Sequence, residues 1–115
     1  MEYRNLGRSG LRVSALSFGS WITFGNQIQK DTARALMETA YQAGVNFFDN
    51  AWQYGNGRSE ELMGRALKDG YREKVYLMTK VLDRTREGAK EQLETSFRRL
   101  DVDVIDLVQL HSIKY

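Results

Sequence analysis

Four residues of types that move protons stand far apart in the chain: Asp49, Tyr54, Lys80 and His111. Asp49, Lys80 and His111 each close a short run of strand-like residues, Val45 to Phe48, Lys74 to Thr79 and Asp103 to Leu110. Tyr54 follows the first run and leads into Gly55-Asn56-Gly57. Singly, each has an ordinary structural reading: a capping acid, an amphipathic loop tyrosine, a solvated strand-end lysine, a satisfied histidine. Together they matter only if the three runs end on one rim. A phenol, with an ordinary pKa near 10, is a proton donor near neutral pH, and an ammonium beside a phenol favours loss of that proton. An aspartate can pair with and hold the lysine, while an imidazole directs a hydrogen bond at a carbonyl oxygen. Such a set suits the reduction of a carbonyl. No side chain supplies a hydride, so a nicotinamide cofactor would have to.

The elements between these residues have to bring them together. Glu2 to Leu6 and Leu11 to Ser14, joined across Gly7-Arg8-Ser9-Gly10, read as a hairpin. Ala15 to Gly19 is a further apolar run, and Ile22 to Lys30 reads as a loop around Gly25-Asn26. Asp31 is placed to cap a helix with Leu36, Met37, Ala40 and Tyr41 on its apolar side, ending at Gly44. The run Val45 to Phe48, bounded by turn signals, predicts a buried strand closed by Asp49. Arg58 to Leu67 predicts a second helix with Leu62, Met63, Ala66 and Leu67 on one face, and Gly70 beyond its end. Lys74 to Thr79 predicts a strand. Thr85 can cap a third helix, in which Ala89, Leu93, Ser96, Phe97 and Leu100 fall at helical spacing, and Asp103 to Leu110 predicts the last strand. Short strands alternating with helices imply right-handed crossovers and a parallel α/β sheet, whose strands all end on one side. Ligands of such sheets bind there.

Composition narrows the function classes. The 115 residues allow one domain with a single core, and 42% hydrophobic with 28% charged residues is ordinary for a folded protein. A net charge of +2, with both signs interleaved, argues against a nucleic-acid or membrane footprint. No leader or apolar run of spanning length is visible, so a cytoplasmic location is expected. No cysteine and one histidine exclude a disulfide framework, a thiolate metal site or a multi-histidine metal centre within one chain. The absence of proline is unusual, since average usage gives about six in this length.

The segments Leu6 to Ser14 (LGRSGLRVS), Phe18 to Ile28 (FGSWITFGNQI), Gly44 to Leu67, Leu77 to Lys80 (LMTK) and Val102 to His111 (VDVIDLVQLH) resemble the aldo-keto reductase family. The opening and the Trp21 to Gln27 loop are most similar to its branch with the potassium-channel beta subunits and related bacterial reductases. The resemblance implies that Asp49, Tyr54, Lys80 and His111 form the catalytic tetrad, with Tyr54 as general acid. It implies further that Ser20, Trp21, Gln27 and Asp49 contact the nicotinamide half of NADPH. Asn50 departs from the Thr or Ser usual after the aspartate, so hydrogen bonding there should differ. The family fold is an eight-stranded (β/α)8 TIM barrel of at least about 200 residues. Residues 1–115 are therefore expected to form a single partial domain, the N-terminal half-barrel: a hairpin followed by about four parallel strands and three helices.

A half-barrel would lack the part that carries the cofactor's phosphates and adenosine. Nothing in the sequence replaces it, since Glu60 stands where a dinucleotide fingerprint requires glycine, and Glu60 with Glu61 in a first helical turn would repel a phosphate. The expectation is a reductase-type half-barrel acting on small carbonyl compounds, with little NADPH-dependent activity as a lone monomer. Open edges also favour a homo-oligomer. A self-associating assembly module and a regulatory module like the channel beta subunits are the competing expectations. Trp21, Trp52, Phe47, Phe48 and Phe97 are expected to pack, Glu94 with Arg98 to form a solvated pair, and Arg98-Arg99 to favour the helix dipole.

Overall fold

The computed structural model of the protein describes residues 1–21 and 30–114. The expected loop from Ile22, including Gln27, lies outside the described residues apart from Lys30. The chain opens on an antiparallel hairpin of β1 (Tyr3–Asn5) and β2 (Arg12–Ser14), with Tyr3 opposite Ser14. Then follow β3 (Phe18–Gly19), α1 (Lys30–Gln42), β4 (Phe47–Asp49), α2 (Arg58–Ala66), β5 (Tyr76–Val81), α3 (Arg86–Leu100) and β6 (Leu107–Leu110). The order β3-β4-β5-β6 forms one sheet in which every described pairing is parallel. This is the expected α/β architecture.

Local chemistry explains most boundaries. Thr85 caps α3 as expected, its hydroxyl accepting from the Gly88 amide at 3.0 Å. Gly44 and Gly70, with φ of 98° and 91°, end the segments after α1 and α2 in a conformation that side chains disfavour. Asp31, in contrast, lies inside the first turn of α1 and does not cap it. The core-facing side of that helix also differs from expectation: Ala33 and Met37 are buried, whereas Leu36 is exposed. β5 starts two residues later than expected, because Arg72–Lys74 form a short helical turn, and it continues through Lys80 to Val81. β6 begins at Leu107, not Asp103. The Asp106 carboxylate takes the Leu77 amide at 2.8 Å, so a side chain occupies the place where strand pairing would otherwise extend.

One face of the sheet packs on the helices. Phe48 and Leu77 are fully buried there against Ala33, Met37, Leu62, Met63, Ala66, Leu67 and Leu100. Alternation along a strand then points Asp49, Met78 and Lys80 to the opposite face. Val108 and Leu110 pair in register with Thr79 and Val81 on the helix side, yet they are 40% and 53% exposed. Among the described residues no helix covers that part of β6. A cleft of about 580 Å³ lies at the strand N-termini, lined by Leu67, Arg72, Val75, Asp101 and Asp106 among others, and contains none of the four proton-moving residues.

α2 and α3 approach closely at Gly64. A Cβ there would meet the main-chain carbonyl of Leu100 far inside van der Waals contact, and a backbone atom cannot swing aside. Alanine normally favours a helix interior by about 1 kcal/mol over glycine, but overpacking costs about 1–3 kcal/mol. Gly64→Ala is therefore expected to lower the free energy of unfolding by about 1–2 kcal/mol in urea titration; a stabilised variant would show that the two helices can move apart freely.

Candidate active site

Parallel strands deliver the chemistry to one rim. Asp49 ends β4, Lys80 lies near the end of β5 and His111 directly follows β6. Tyr54 stands in the turn between β4 and α2, at the head of a short 3-10 segment, Tyr54–Gly57. The structure brings all four together. The Lys80 ammonium donates to Asp49 Oδ1 in a very short contact, to the Asn50 carbonyl at 2.9 Å and to the Tyr54 hydroxyl at 3.1 Å. Its three protons thus have three acceptors. It also stands 4.9 Å from the centre of the Tyr54 ring. The Tyr54 and His111 rings meet edge to face at 5.8 Å. Trp21 also neighbours the phenol, with ring centres 6.4 Å apart.

The electrostatics are graded across the rim. The Lys80 and Asp49 side chains are 12% and 28% exposed, so the pair is shielded yet open on one side. Burial is the largest influence on His111 and pushes its pKa below the ordinary 6.5. Lys80 and, more weakly, Arg84 push in the same direction, while Asp49 opposes them. The imidazole is thereby held neutral near pH 7, with one N–H to donate. Arg84 also donates to the His111 main-chain carbonyl, tying the residue to the segment after β5.

Beneath the rim is a buried polar hub. Asn50 Oδ1 lies 2.8 Å from the Ser20 hydroxyl and 2.7 Å from the Ser59 hydroxyl, and all three residues are fully buried. Ser20 Oγ is also 2.6 Å from the Asp49 carbonyl. The hub joins the end of β3, the end of β4 and the first turn of α2 under the Lys80 contacts. It also answers the departure at Asn50: a longer amide side chain spans to two serines. The Ser20 hydroxyl is engaged inside the protein, whereas Trp21 is 65% exposed and turned toward the rim. Trp21 therefore does not pack in the core as expected, because it follows a strand end at the open side of the sheet.

These residues fit one end of a nicotinamide nucleotide. An exposed indole beside a phenol offers the flat surface on which a planar ring stacks, and the Asp49 carboxylate, 28% exposed, is a polar group on the same rim. The phosphates have no such counterpart at α2, where Glu60 is buried as a carboxylate and Glu61 adds a second one to the first turn. Among the described residues no group of three or more His, Cys, Asp or Glu side chains is placed to hold a metal ion.

Three charged residues make contacts other than those expected, although Arg98 and Arg99 do lie in the last turn of α3 as expected. Glu60 is fully buried and does not serve the helix dipole at the surface; it accepts from Thr79 Oγ1 at 2.7 Å and pairs with Arg99 at 3.2 Å. Arg99 reaches the Trp52 carbonyl at 2.6 Å. Arg98 donates to Thr95 at 3.2 Å, where an ion pair with Glu94 was expected. Only their long-range partners, 39 and 47 residues away, distinguish Glu60 and Arg99 from ordinary helix-surface charges.

The chain is 49% identical over 122 aligned positions to a protein of Oryza sativa subsp. japonica named "Probable voltage-gated potassium channel subunit beta", covering 96% of this chain and 37% of that one. An Arabidopsis thaliana protein of the same name is 43% identical over the same shares. Among solved structures, a thermostable aldo-keto reductase in complex with the inhibitor epalrestat superposes with a TM-score of 0.86 at 35% identity, over 96% of this chain and 43% of the other. An aldo-keto reductase from Klebsiella pneumoniae in complex with NADP and acetate matches with a TM-score of 0.78 at 29% identity, over 86% and 35%. The chain thus spans about two fifths of the length of its relatives, and it superposes on part of their barrels. With the model of the Aldo/keto reductase family matching residues 15–115, the chain belongs to that family.

Proposed function

We propose that Asp49, Tyr54, Lys80 and His111 form the proton-transfer half of an NADPH-dependent carbonyl reductase site acting on small aldehydes or ketones. The observation that carries this reading is the Lys80 ammonium, which touches both the Asp49 carboxylate and the Tyr54 hydroxyl. Tyr54 gives its proton to the carbonyl oxygen as that oxygen gains charge. Lys80 stabilises the phenolate left behind, Asp49 holds Lys80 in place, and neutral His111 donates a hydrogen bond that fixes the oxygen. A bound nicotinamide supplies the hydride. By the family resemblance Ser20, Trp21, Gln27 and Asp49 would hold that nicotinamide, and of these Trp21 and Asp49 stand at the rim, with Ser20 in the hub below it. A cytoplasmic setting suits this chemistry, and among the described residues no helix is long and apolar enough to cross a membrane.

Residues 1–115 act in this reading as one partial, half-barrel domain. Taken alone, these residues should give little turnover, because the described ones offer four parallel strand ends to hold the cofactor. Grafting residues 1–115 in place of the matching part of a solved reductase is expected to give NADPH-dependent aldehyde reduction. Tyr54→Phe in that chimera should slow it by about 10²- to 10⁴-fold. A folded chimera that consumes NADPH equally well with phenylalanine there would overturn the assignment.

Self-association is the second reading, favoured by the uncovered Val108 and Leu110 on the edge strand β6. A homodimer would seat a second copy against this edge and the one at β3. Light scattering should then give twice the chain mass at micromolar concentration; a cooperatively folded monomer throughout would eliminate the dimer. The names of the plant relatives also motivate a channel-binding role, and a pull-down with a channel cytoplasmic domain decides it.

The single histidine provides a direct probe of the site. Because its folded-state pKa is depressed, the unfolded chain takes up a proton first as pH falls. The stability from this group is full above pH 6.5 and is lost as pH falls from there through the folded-state value. The imidazole proton resonance should titrate below 6.5, and His111→Gln should flatten the loss of stability in that window. A midpoint at or above the ordinary value would mean that the ring is not shielded and not next to a cation.

A further inference from the structure

The turn that carries Tyr54 is clamped from the outside of the sheet. Arg99, in the last turn of α3, donates to the Trp52 carbonyl at 2.6 Å, and its guanidinium lies 5.5 Å from the centre of the Trp52 ring. The Trp52 amide donates to the Lys80 carbonyl at 3.0 Å, so this residue is held at both main-chain poles. At the far end of the turn, Gly57 packs directly on the same guanidinium. A Cβ at Gly57 would lie 2.5 Å from Arg99 Cζ, and the residue has a φ of +96°. Arg99 thus touches the turn on both sides of Tyr54.

The guanidinium is itself fixed by a fully buried carboxylate. Glu60 accepts from Arg99 at 3.2 Å through one oxygen and from Thr79 at 2.7 Å through the other. Thr79 immediately precedes Lys80, so the chain of contacts runs from the strand that bears the ammonium, through α2 and α3, back to the turn that bears the phenol. The planar fork of arginine can stack on the indole while donating to two oxygens, which a lysine cannot do.

We propose that Arg99 and Glu60 are positioning residues that hold Tyr54 against Lys80 and His111 by clamping the Trp52 to Gly57 turn. Neither touches the reacting atoms; both act through Trp52, Gly57 and Thr79. The pair therefore governs the geometry of the tetrad, and its bearing on turnover rests on the reductase reading above.

The test separates geometry from charge. Removing Arg99 alone strands a buried carboxylate and endangers the fold, so the informative variant is the double substitution Glu60→Gln with Arg99→Met, which leaves no unpaired charge and retains an amide for Thr79. In nuclear Overhauser spectra the edge-to-face contact of Tyr54 with the single histidine should weaken at least several-fold, while the ring-shifted methyls around Phe48 keep their positions. A folded double variant with undiminished cross-peaks overturns the proposal. Should the double variant fail to fold, Arg99→Lys decides, because it keeps a cation beside Glu60. Its cross-peaks should fall about twofold, and unchanged ones would equally overturn the clamp. In the barrel chimera, the double substitution should lower kcat by about tenfold to a hundredfold with little change in KM for the carbonyl compound. An equal rise in KM with kcat intact would count against positioning. The ring contact needs no turnover, so failure of the clamp and failure of the reductase reading give different results.

Discussion

The ammonium of Lys80 is the interaction around which the rim is built. It is mostly withdrawn from water, and a lone cation there would be strongly disfavoured unless every proton found an acceptor. The three acceptors come from one short stretch, Asp49 to Tyr54, so satisfying one lysine fixes the end of β4, the next carbonyl and the turn beyond it. Positioning of Tyr54 is in this sense a by-product of solvating Lys80. His111 enters from the neighbouring strand and feels the same cation, which helps keep its ring neutral.

That arrangement demands a rigid floor, since a carboxylate and an ammonium in contact gain little if either can swing into water. The floor is polar where a hydrophobic layer would leave main-chain groups unsatisfied. Ser20, Asn50 and Ser59 join three segments whose own pairing has ended, and they do so with side-chain hydroxyls and an amide. Below them the interior becomes apolar at Phe48, Leu62, Met63 and Leu77. The change from hydrocarbon to polar network happens within one residue of the end of β4.

Much of this was legible in the sequence, for identifiable reasons. Thr85 caps its helix and the four apolar positions of α2 are buried, because caps and helical periodicity are local signals. The four rim residues are legible because each follows a strand-like run and parallel topology places all such ends together. What sequence could not show are contacts that depend on distant partners. Leu36 is exposed while Ala33 is buried, because the surface against which α1 packs, not hydropathy alone, selects the buried stripe. Glu60 looks like a first-turn acid, and only a guanidinium 39 residues away makes its burial tolerable. Asp106 looks like strand, yet its carboxylate takes over a pairing position. Trp21, expected to pack, remains exposed, since burial of an indole is decided by what lies opposite it.

Consecutive residues of β5 divide the labour between the two faces of the sheet. Thr79 turns toward the helices and meets Glu60, while Lys80 turns the other way and meets Asp49 and Tyr54. Two ion pairs therefore lie back to back across a single strand, one closed by helices and one open at the rim, and the Tyr54 turn is attached to both. Because side chains alternate with a period of two, a slip of β5 by one residue would send the ammonium into the apolar layer and the threonine to the rim. The Lys80–Asp49 pair would be broken, and the buried carboxylate of Glu60 would at the same time lose its threonine. The register of Asp49 opposite Met78 and Lys80 opposite Gln109 is thus enforced by charge on both faces as well as by hydrophobic burial on one. The six-residue strand β5, already pinned by burial, thus has its register set by the rim residues as well.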